Sequence, residues 1–144
     1  MKEYFCIVSG IIGGIVTTAF GGWDASIKTL IIFMAIDYIS GLVVAGVFKA
    51  STKTNSGALE SRAGWKGLCR KGVSLLIVLI GYRLDILIGT PYIRDAVIIA
   101  FTLNELISIV ENAGLMGIPM PTIITKAIDV LTKKAESEGS HEEY

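Results

Sequence analysis

The sequence predicts an all-α integral membrane protein with about four transmembrane helices, three being possible, and a C-terminal amphipathic helix. The 144 residues are 52% hydrophobic and only 18% charged, with a mean hydropathy of +0.64, unlike an ordinary soluble domain. Residues 27–48 form an apolar run that, at about 1.5 Å per residue, is long enough to cross a hydrocarbon layer of roughly 30 Å. The formal net charge of zero conceals a basic connecting segment and an acidic C-terminal tail.

The chain is divided accordingly into one membrane domain and a short C-terminal extension. Residues 1–121 form the membrane domain, 122–136 an interfacial amphipathic helix and 137–144 an acidic disordered tail. The expected spans are residues 4–22, 27–48, 73–90 and 96–116, with a basic loop at 49–72.

The first span is the least regular because it is rich in glycine. Gly10 and Gly14 are four residues apart, which places two small residues on one helix face where another helix can approach closely. Simple glycine-rich looseness explains the pattern equally well. The run lacks the small-residue cleavage pattern of a secretory signal, so a retained anchor is favoured. A glycine turn follows, and Asp24 or Ser26 can cap the next helix.

The second span carries one acid, Asp37, near its middle. A charged side chain at the centre of a transmembrane helix costs about 2.5 to 3.5 kcal/mol on insertion scales, so such a residue is interpreted as functional and needs a partner. Gly41 and Ala45 follow Asp37 at successive intervals of four residues. The acid therefore shares a helix face with small residues that permit close packing.

The connecting segment at 49–72 contains six basic side chains. Because cytoplasmic loops carry an excess of lysine and arginine, the segment is predicted to be cytoplasmic, which also places the C-terminus in the cytoplasm. Attraction to anionic lipid headgroups is compatible with that position, and no nucleic-acid partner is expected. The six residues are Lys49, Lys53, Arg62, Lys66, Arg70 and Lys71.

The fourth span has one polar face. Its polar residues recur at helical spacing, and two carboxylates and two carboxamides on one face cannot favourably contact lipid. The face is expected to contact other protein or a water-filled space, a dry hydrogen-bonded contact being the alternative. The residues are Asn104, Glu105, Ser108, Glu111 and Asn112.

The charged residues of the third span provide the expected partner for these acids. Arg83 and Asp85 are two residues apart and point to different sides of a helix, so each needs another partner. Counting about 1.5 Å per residue places Asp37, Arg83 and Glu105 at a depth of roughly 15 Å, near the midplane. We therefore predict a buried cluster in which Arg83 pairs with Asp37 or Glu105. Asp85 is expected towards the outer side, and Glu111 towards the inner side.

No catalytic centre can be identified in the sequence. It contains no nucleophile and base in a recognisable arrangement, no phosphate-binding glycine loop and no metal-ligand spacing, so no cofactor is expected. Cys6 and Cys69 lack the spacing of a redox pair or a metal site and are interpreted as reduced thiols.

Taken together, these residues resemble the phage holin and toxin-secretion holin family. The resemblance is carried by Gly22-Trp23-Asp24, LIIFMAIDYISGLVVAG at 30–46, Lys66-Gly67, Arg70-Lys71-Gly72 and NELISIVENAGLMGIPMP at 104–121. It implies a small protein of the bacterial cytoplasmic membrane that forms homo-oligomers and opens lesions. Through these lesions an endolysin or a large toxin would leave the cell without binding the holin directly.

Two other functional classes also accommodate the sequence. A small proton-coupled transporter of four helices would carry one central carboxylate, such as Asp37 or Glu105. A membrane adaptor would instead bind a partner through the basic loop. Expression of the chain alone distinguishes these classes, because only a holin should release a cytoplasmic protein.

Overall fold

The computed structural model describes residues 1–139, and the regular secondary structure in this part of the chain consists of helices, without strands. The expectation of an all-α protein is therefore confirmed. Residues 140–144, which include most of the predicted acidic tail, lie outside the described residues. The elements in chain order are α1 (Lys2–Ala19), α2 (Ala25–Val43), a π-helical segment (Val44–Phe48), α3 (Ser61–Ile88), α4 (Ile93–Leu115) and α5 (Thr122–Gly139).

Helix α4 is the element around which the others pack. It contacts α2, α3 and α5, whereas α2 and α3 contact each other less extensively. Lipid tails are as apolar as these core side chains, so close packing, more than removal from water, holds such helices together in a bilayer. The core consists of Ile27, Leu30 and Met34 of α2, Val78 of α3 and Ile98 of α4.

Small residues permit close helix contacts within this bundle. A Cβ atom at Gly81 would lie only 3.3 Å from the Cα of Arg94, which shows how closely α3 approaches α4. At the predicted packing position Gly41, a Cβ would lie 3.8 Å from Asn112 Nδ2, and Ala45 is buried. The sequence indicated the contact at Gly41 but not the one at Gly81.

None of the residues of helix α1 is buried, a property that it shares only with α5 among the described helices. Nothing lies within 4 Å of a Cβ atom built at Gly10 or Gly14. Among residues 1–139 these glycines therefore pack against no other helix, and their predicted packing role concerns contacts outside this part of the chain.

The structure does not confirm the predicted number of membrane spans. Among the described residues, the continuous stretch Ala25–Phe48, formed by α2 and the π-helical segment, is the one helix long and apolar enough to cross a bilayer by length and composition. The other helices carry more polar residues: α1 begins at Lys2 and Glu3, and α4 contains Glu105 and Glu111. The four-span topology therefore remains a prediction.

Several element boundaries differ from those expected, and two of the differences concern polar segments. Helix α3 begins at Ser61. Of the predicted loop at 49–72, only residues 49–60 are therefore non-helical. Four of its six basic residues, Arg62, Lys66, Arg70 and Lys71, belong to α3. Helix α5 continues to Gly139, beyond the predicted end at residue 136.

Candidate functional site

Three charged side chains from three helices meet inside the bundle. Lys71 Nζ of α3 lies 2.6 Å from Asp37 Oδ2 of α2 and 2.5 Å from Glu105 Oε2 of α4. The side chains of Lys71, Asp37 and Glu105 are only 14%, 7% and 12% exposed. Two carboxylates thus share one ammonium group, and we call these three residues the ion cluster.

Asn112 completes the hydrogen bonding of Asp37. Its Nδ2 lies 3.1 Å from Asp37 Oδ1, 3.2 Å from the Asp37 carbonyl oxygen and 2.8 Å from Ser40 Oγ. Asn112 is buried, so its amide satisfies acceptors that water does not reach. Asp37 therefore has a partner on each carboxylate oxygen.

The cation of this cluster is not the one predicted. Arg83 is exposed and forms no ion pair with any residue of the described chain, so the expected pairing with Asp37 or Glu105 is wrong. Arg83 lies about 18 Å farther along α3 than Lys71, at about 1.5 Å per residue. The sequence predicts a loop position for Lys71 because the apolar run of the third span begins only at Val73.

The remaining polar residues of α4 face an open space beside the ion cluster. A cavity of about 790 Å³ lies between α2, α3, α4 and the segment after the π-helix, and it also reaches the ion cluster. Within the single chain, the polar face of α4 contacts polar side chains of α2 and α3 and borders this cavity. Its members Asn104, Glu105, Ser108, Glu111 and Asn112 all line this cavity.

A second polar cluster lies at the opposite end of the bundle, around the buried guanidinium of Arg94. Its Nη1 lies 2.9 Å from Asp24 Oδ2 and 3.0 Å from Asp95 Oδ1. Its Nε donates to the carbonyl of Phe20 at 2.5 Å, and its Nη2 contacts the carbonyl of Gly22 at 3.3 Å. We call Arg94 with these four partners the Arg94 clasp, because it attaches the α1–α2 connection to α4.

Asp24 has two functions in this clasp. Its Oδ1 accepts a hydrogen bond from the Ile27 backbone N–H at 3.1 Å, which confirms the predicted N-cap of α2. The hydrogen bonds and charge of Arg94 hold the pKa of the Asp24 carboxyl below its ordinary value. The sequence alone indicates no more than a turn at Arg94.

Asp85 lies outside the ion cluster and caps α4. Its carboxylate accepts hydrogen bonds from the backbone N–H groups of Ile93 and Arg94 at 2.8 and 2.9 Å and from Thr90 Oγ1 at 2.8 Å. These N–H groups at the start of a helix have no intrahelical partners. Asp85 therefore fixes the α3–α4 connection, at the end of the bundle opposite the predicted cytoplasmic segment.

Neither cluster is a candidate metal site. Within residues 1–139 no group of three or more His, Cys, Asp and Glu side chains is arranged to hold a metal ion. The two sites consist of ion pairs and hydrogen bonds that join helices.

Comparison with known proteins assigns the family. The family model described as the Bacteriophage holin family matches residues 14–133. The chain belongs to this holin family. No solved structure matches the chain.

Several bacterial and phage relatives align with most of this holin-family chain. An uncharacterized protein of Listeria monocytogenes is 37% identical over 132 residues, covering 90% of this chain and 89% of that protein. An uncharacterized protein of Clostridium perfringens is 32% identical over 133 residues, covering 90% and 93%. The protein named "Probable holin" of Bacillus phage phi105 is 29% identical over 103 residues, covering 71% and 70%.

The region of this holin that matches the family contains both polar clusters in full. It begins within α1, after Gly10, and ends within α5. Family membership indicates an integral protein of the cytoplasmic membrane, consistent with the candidate span Ala25–Phe48.

Proposed function

We propose that this holin accumulates in the cytoplasmic membrane, assembles with copies of itself and opens lesions that release an endolysin or a large toxin. The observation that carries the proposal is the family match over residues 14–133. The phage relative named as a probable holin supports it. The bundle itself explains how such a chain tolerates lipid before it assembles.

In the single chain the charges of the ion cluster are satisfied internally. An unpaired charge buried in an apolar medium costs several kcal/mol, but Lys71 neutralises one carboxylate and shares its ammonium with the second. We infer that the ion cluster keeps α2, α3 and α4 together in an inactive monomer. On assembly, the polar face of α4 would turn from its own cavity towards a water-filled lesion between subunits.

The proposed topology follows from the basic residues. Lys49, Lys53 and the basic residues of α3 are cytoplasmic by the positive-inside rule, so α2 runs inwards, α3 outwards and α4 inwards. The Arg94 clasp then faces the outer side, and α5 lies on the cytoplasmic side. Helix α1 adds a fourth span if it crosses the membrane.

The test is inducible expression of the chain alone in bacteria that contain a cytoplasmic reporter enzyme. We expect growth to stop abruptly and folded reporter to appear in the medium. Cells that stay healthy while the full-length chain is present in the membrane would contradict the proposal.

The cavity beside the ion cluster gives one specific reason to keep the transporter alternative. A space of about 790 Å³ that reaches two carboxylates and a lysine suits a small proton-coupled transporter. A transporter would move a substrate in a saturable, gradient-dependent manner and would release no reporter. The same expression experiment therefore separates the two functions.

A further inference from the structure

The cavity beside the ion cluster has the size of a ligand site. Its volume of about 790 Å³ falls within the roughly 300–1,000 Å³ that small-molecule sites occupy. It is bounded by α2, the π-helical segment, residues 51–60, α3 and α4. In the proposed topology this is the cytoplasmic end of the bundle, where lipid headgroups lie.

One wall of this cavity is positively charged. Lys53 comes from the segment after the π-helix, and Lys66 and Arg70 are four residues apart on one face of α3. All three are exposed and form no ion pair with a described residue. Lys71, in contrast, is already engaged by the ion cluster. The three cations are therefore available to an anionic group.

The lining of the same cavity also includes an unengaged carboxylate. Glu111 of α4 lines the cavity, is exposed and forms no ion pair with the described chain. The other acid outside the ion cluster, Glu60, accepts a hydrogen bond from Ser56. The cavity lining thus carries charges of both signs that form no ion pair with each other, a pattern complementary to a zwitterion.

The lining also continues onto apolar residues of the bundle. Leu42, Val73 and Ile107 line the same cavity and belong to the predicted membrane spans. A ligand that is polar at one end and apolar at the other matches this lining better than a free polar metabolite does.

We infer that this cavity binds the headgroup of an aminophospholipid. The phosphate contacts Lys53, Lys66 and Arg70, the primary ammonium contacts Glu111, and the acyl chains extend along the apolar lining. A purely anionic headgroup would leave Glu111 unpaired opposite a negative charge. This inference rests on the proposed membrane topology and is independent of lesion formation.

The experiment measures lipid adducts on the full-length protein by native mass spectrometry after release from detergent. Phosphatidylethanolamine and phosphatidylglycerol with identical acyl chains are added separately at equal concentration. We expect phosphatidylethanolamine to bind more tightly. Glu111→Gln should weaken its binding about tenfold because the ammonium contact is lost. The same variant should not weaken phosphatidylglycerol binding, because that headgroup has no ammonium and gains from the loss of the facing carboxylate. The double variant Lys66→Gln, Arg70→Gln should weaken both lipids.

Matched controls remove the same charges outside the cavity. Arg62 and Glu136 are exposed and do not line it, so Arg62→Gln and Glu136→Gln should bind both lipids as the unmodified chain does. Equal binding of the two lipids, or no effect of Glu111→Gln, would overturn the inference. If glycerophosphoethanolamine at the same concentration displaces bound phosphatidylethanolamine, the ligand is the free headgroup and not the lipid, which would also overturn the inference. A chain that releases reporter but binds no phosphatidylethanolamine would refute this inference alone. A chain that binds phosphatidylethanolamine but releases no reporter would refute only the proposed function.

Discussion

Lys71 is the residue on which the charge balance of the bundle depends. Replacing it with methionine leaves Asp37 and Glu105 facing each other without their cation. Because removing one partner of a buried ion pair costs about 3–5 kcal/mol, and Lys71 is slightly exposed, we expect Lys71→Met to lose up to that amount of stability. The measurement is the thermal unfolding midpoint of the purified protein in detergent.

Two further substitutions show whether the effect belongs to the ion cluster. Glu105→Gln should cost less than Lys71→Met because the pair between Asp37 and Lys71 remains. Arg83→Gln should change stability by less than about 0.5 kcal/mol because Arg83 is exposed. A loss for Arg83→Gln as large as that for Lys71→Met would mean that Arg83, not Lys71, neutralises the acids.

Asp24 gives the Arg94 clasp a defined pH dependence. Its pKa is lowered from 3.8 in the folded chain, so the ionised carboxyl stabilises the fold above pH 3.8, and this contribution disappears as the pH falls through the lower folded-state pKa. Asp24→Asn should therefore lower the unfolding midpoint by the same amount at every pH between about 5 and 8. Below pH 3.8 the difference from the unmodified chain should shrink. A difference that instead grows in acid would contradict the clasp geometry.

The sequence predicted the acids of the ion cluster better than their cation. Counting residues from the ends of the apolar runs placed Asp37 and Glu105 at one depth, and both contact Lys71 in the structure. The same count selected Arg83, because hydropathy alone does not show that α3 begins with polar turns at Ser61. Arg94 likewise needed tertiary structure, since its partners Asp24 and Phe20 lie about seventy residues away.

At the level of elements, α1 carries the main open question of topology. If α1 spans the membrane, Cys6 lies on the cytoplasmic side, as does Cys69 near the start of α3. Both thiols are exposed in the chain. A membrane-impermeant thiol reagent added to intact cells before lysis should then label neither, whereas a permeant reagent should label both.

The variants Cys6→Ser and Cys69→Ser assign any labelling to one position. Rapid labelling that disappears in Cys6→Ser would place the N-terminal part of α1 outside and leave three spans. Labelling that disappears in Cys69→Ser would reverse the orientation of α3 and contradict the positive-inside assignment.

Apolar runs predict the helices more reliably than they predict helix ends. The turn at residues 21–24 and the Asp24 cap follow from local chemistry, so α2 begins close to where the sequence placed it. The start of α3 and the end of α5 consist of polar residues that are equally compatible with a loop. Hydropathy alone therefore does not locate these two helix ends.

At the level of the whole molecule, the polar face of α4 distinguishes assembly from folding. Asn104 is exposed and lines the cavity. Asn104→Leu should therefore change the free energy of unfolding of the monomer by less than about 0.5 kcal/mol. If this face lines the lesion, reporter release should be delayed or lost at equal membrane abundance. Thr29→Leu, at an exposed position of α2 outside the cavity, is the matched control and should release reporter normally.

Normal release from Asn104→Leu would contradict a role for this face in the lesion while leaving holin function itself intact.

The family and the helical class were accessible from the sequence because the motifs and apolar runs are continuous. The number of spans does not follow from the sequence, because α1 and α4 combine the length of a membrane span with polar residues. Which polar faces meet other subunits depends on the assembly rather than on the single chain.

The order in which the partners of Asp37 are synthesised has a consequence for biogenesis. Lys71 lies 34 residues after Asp37 in the chain, and Asn112 lies 75 residues after Asp37. At roughly 5–20 residues per second, a ribosome needs roughly 4–15 s to produce Asn112 after Asp37. During this interval α2 has its acid without its final hydrogen bonds. The insertion machinery must therefore retain α2 beside water, or beside its own polar groups, until α3 and α4 arrive.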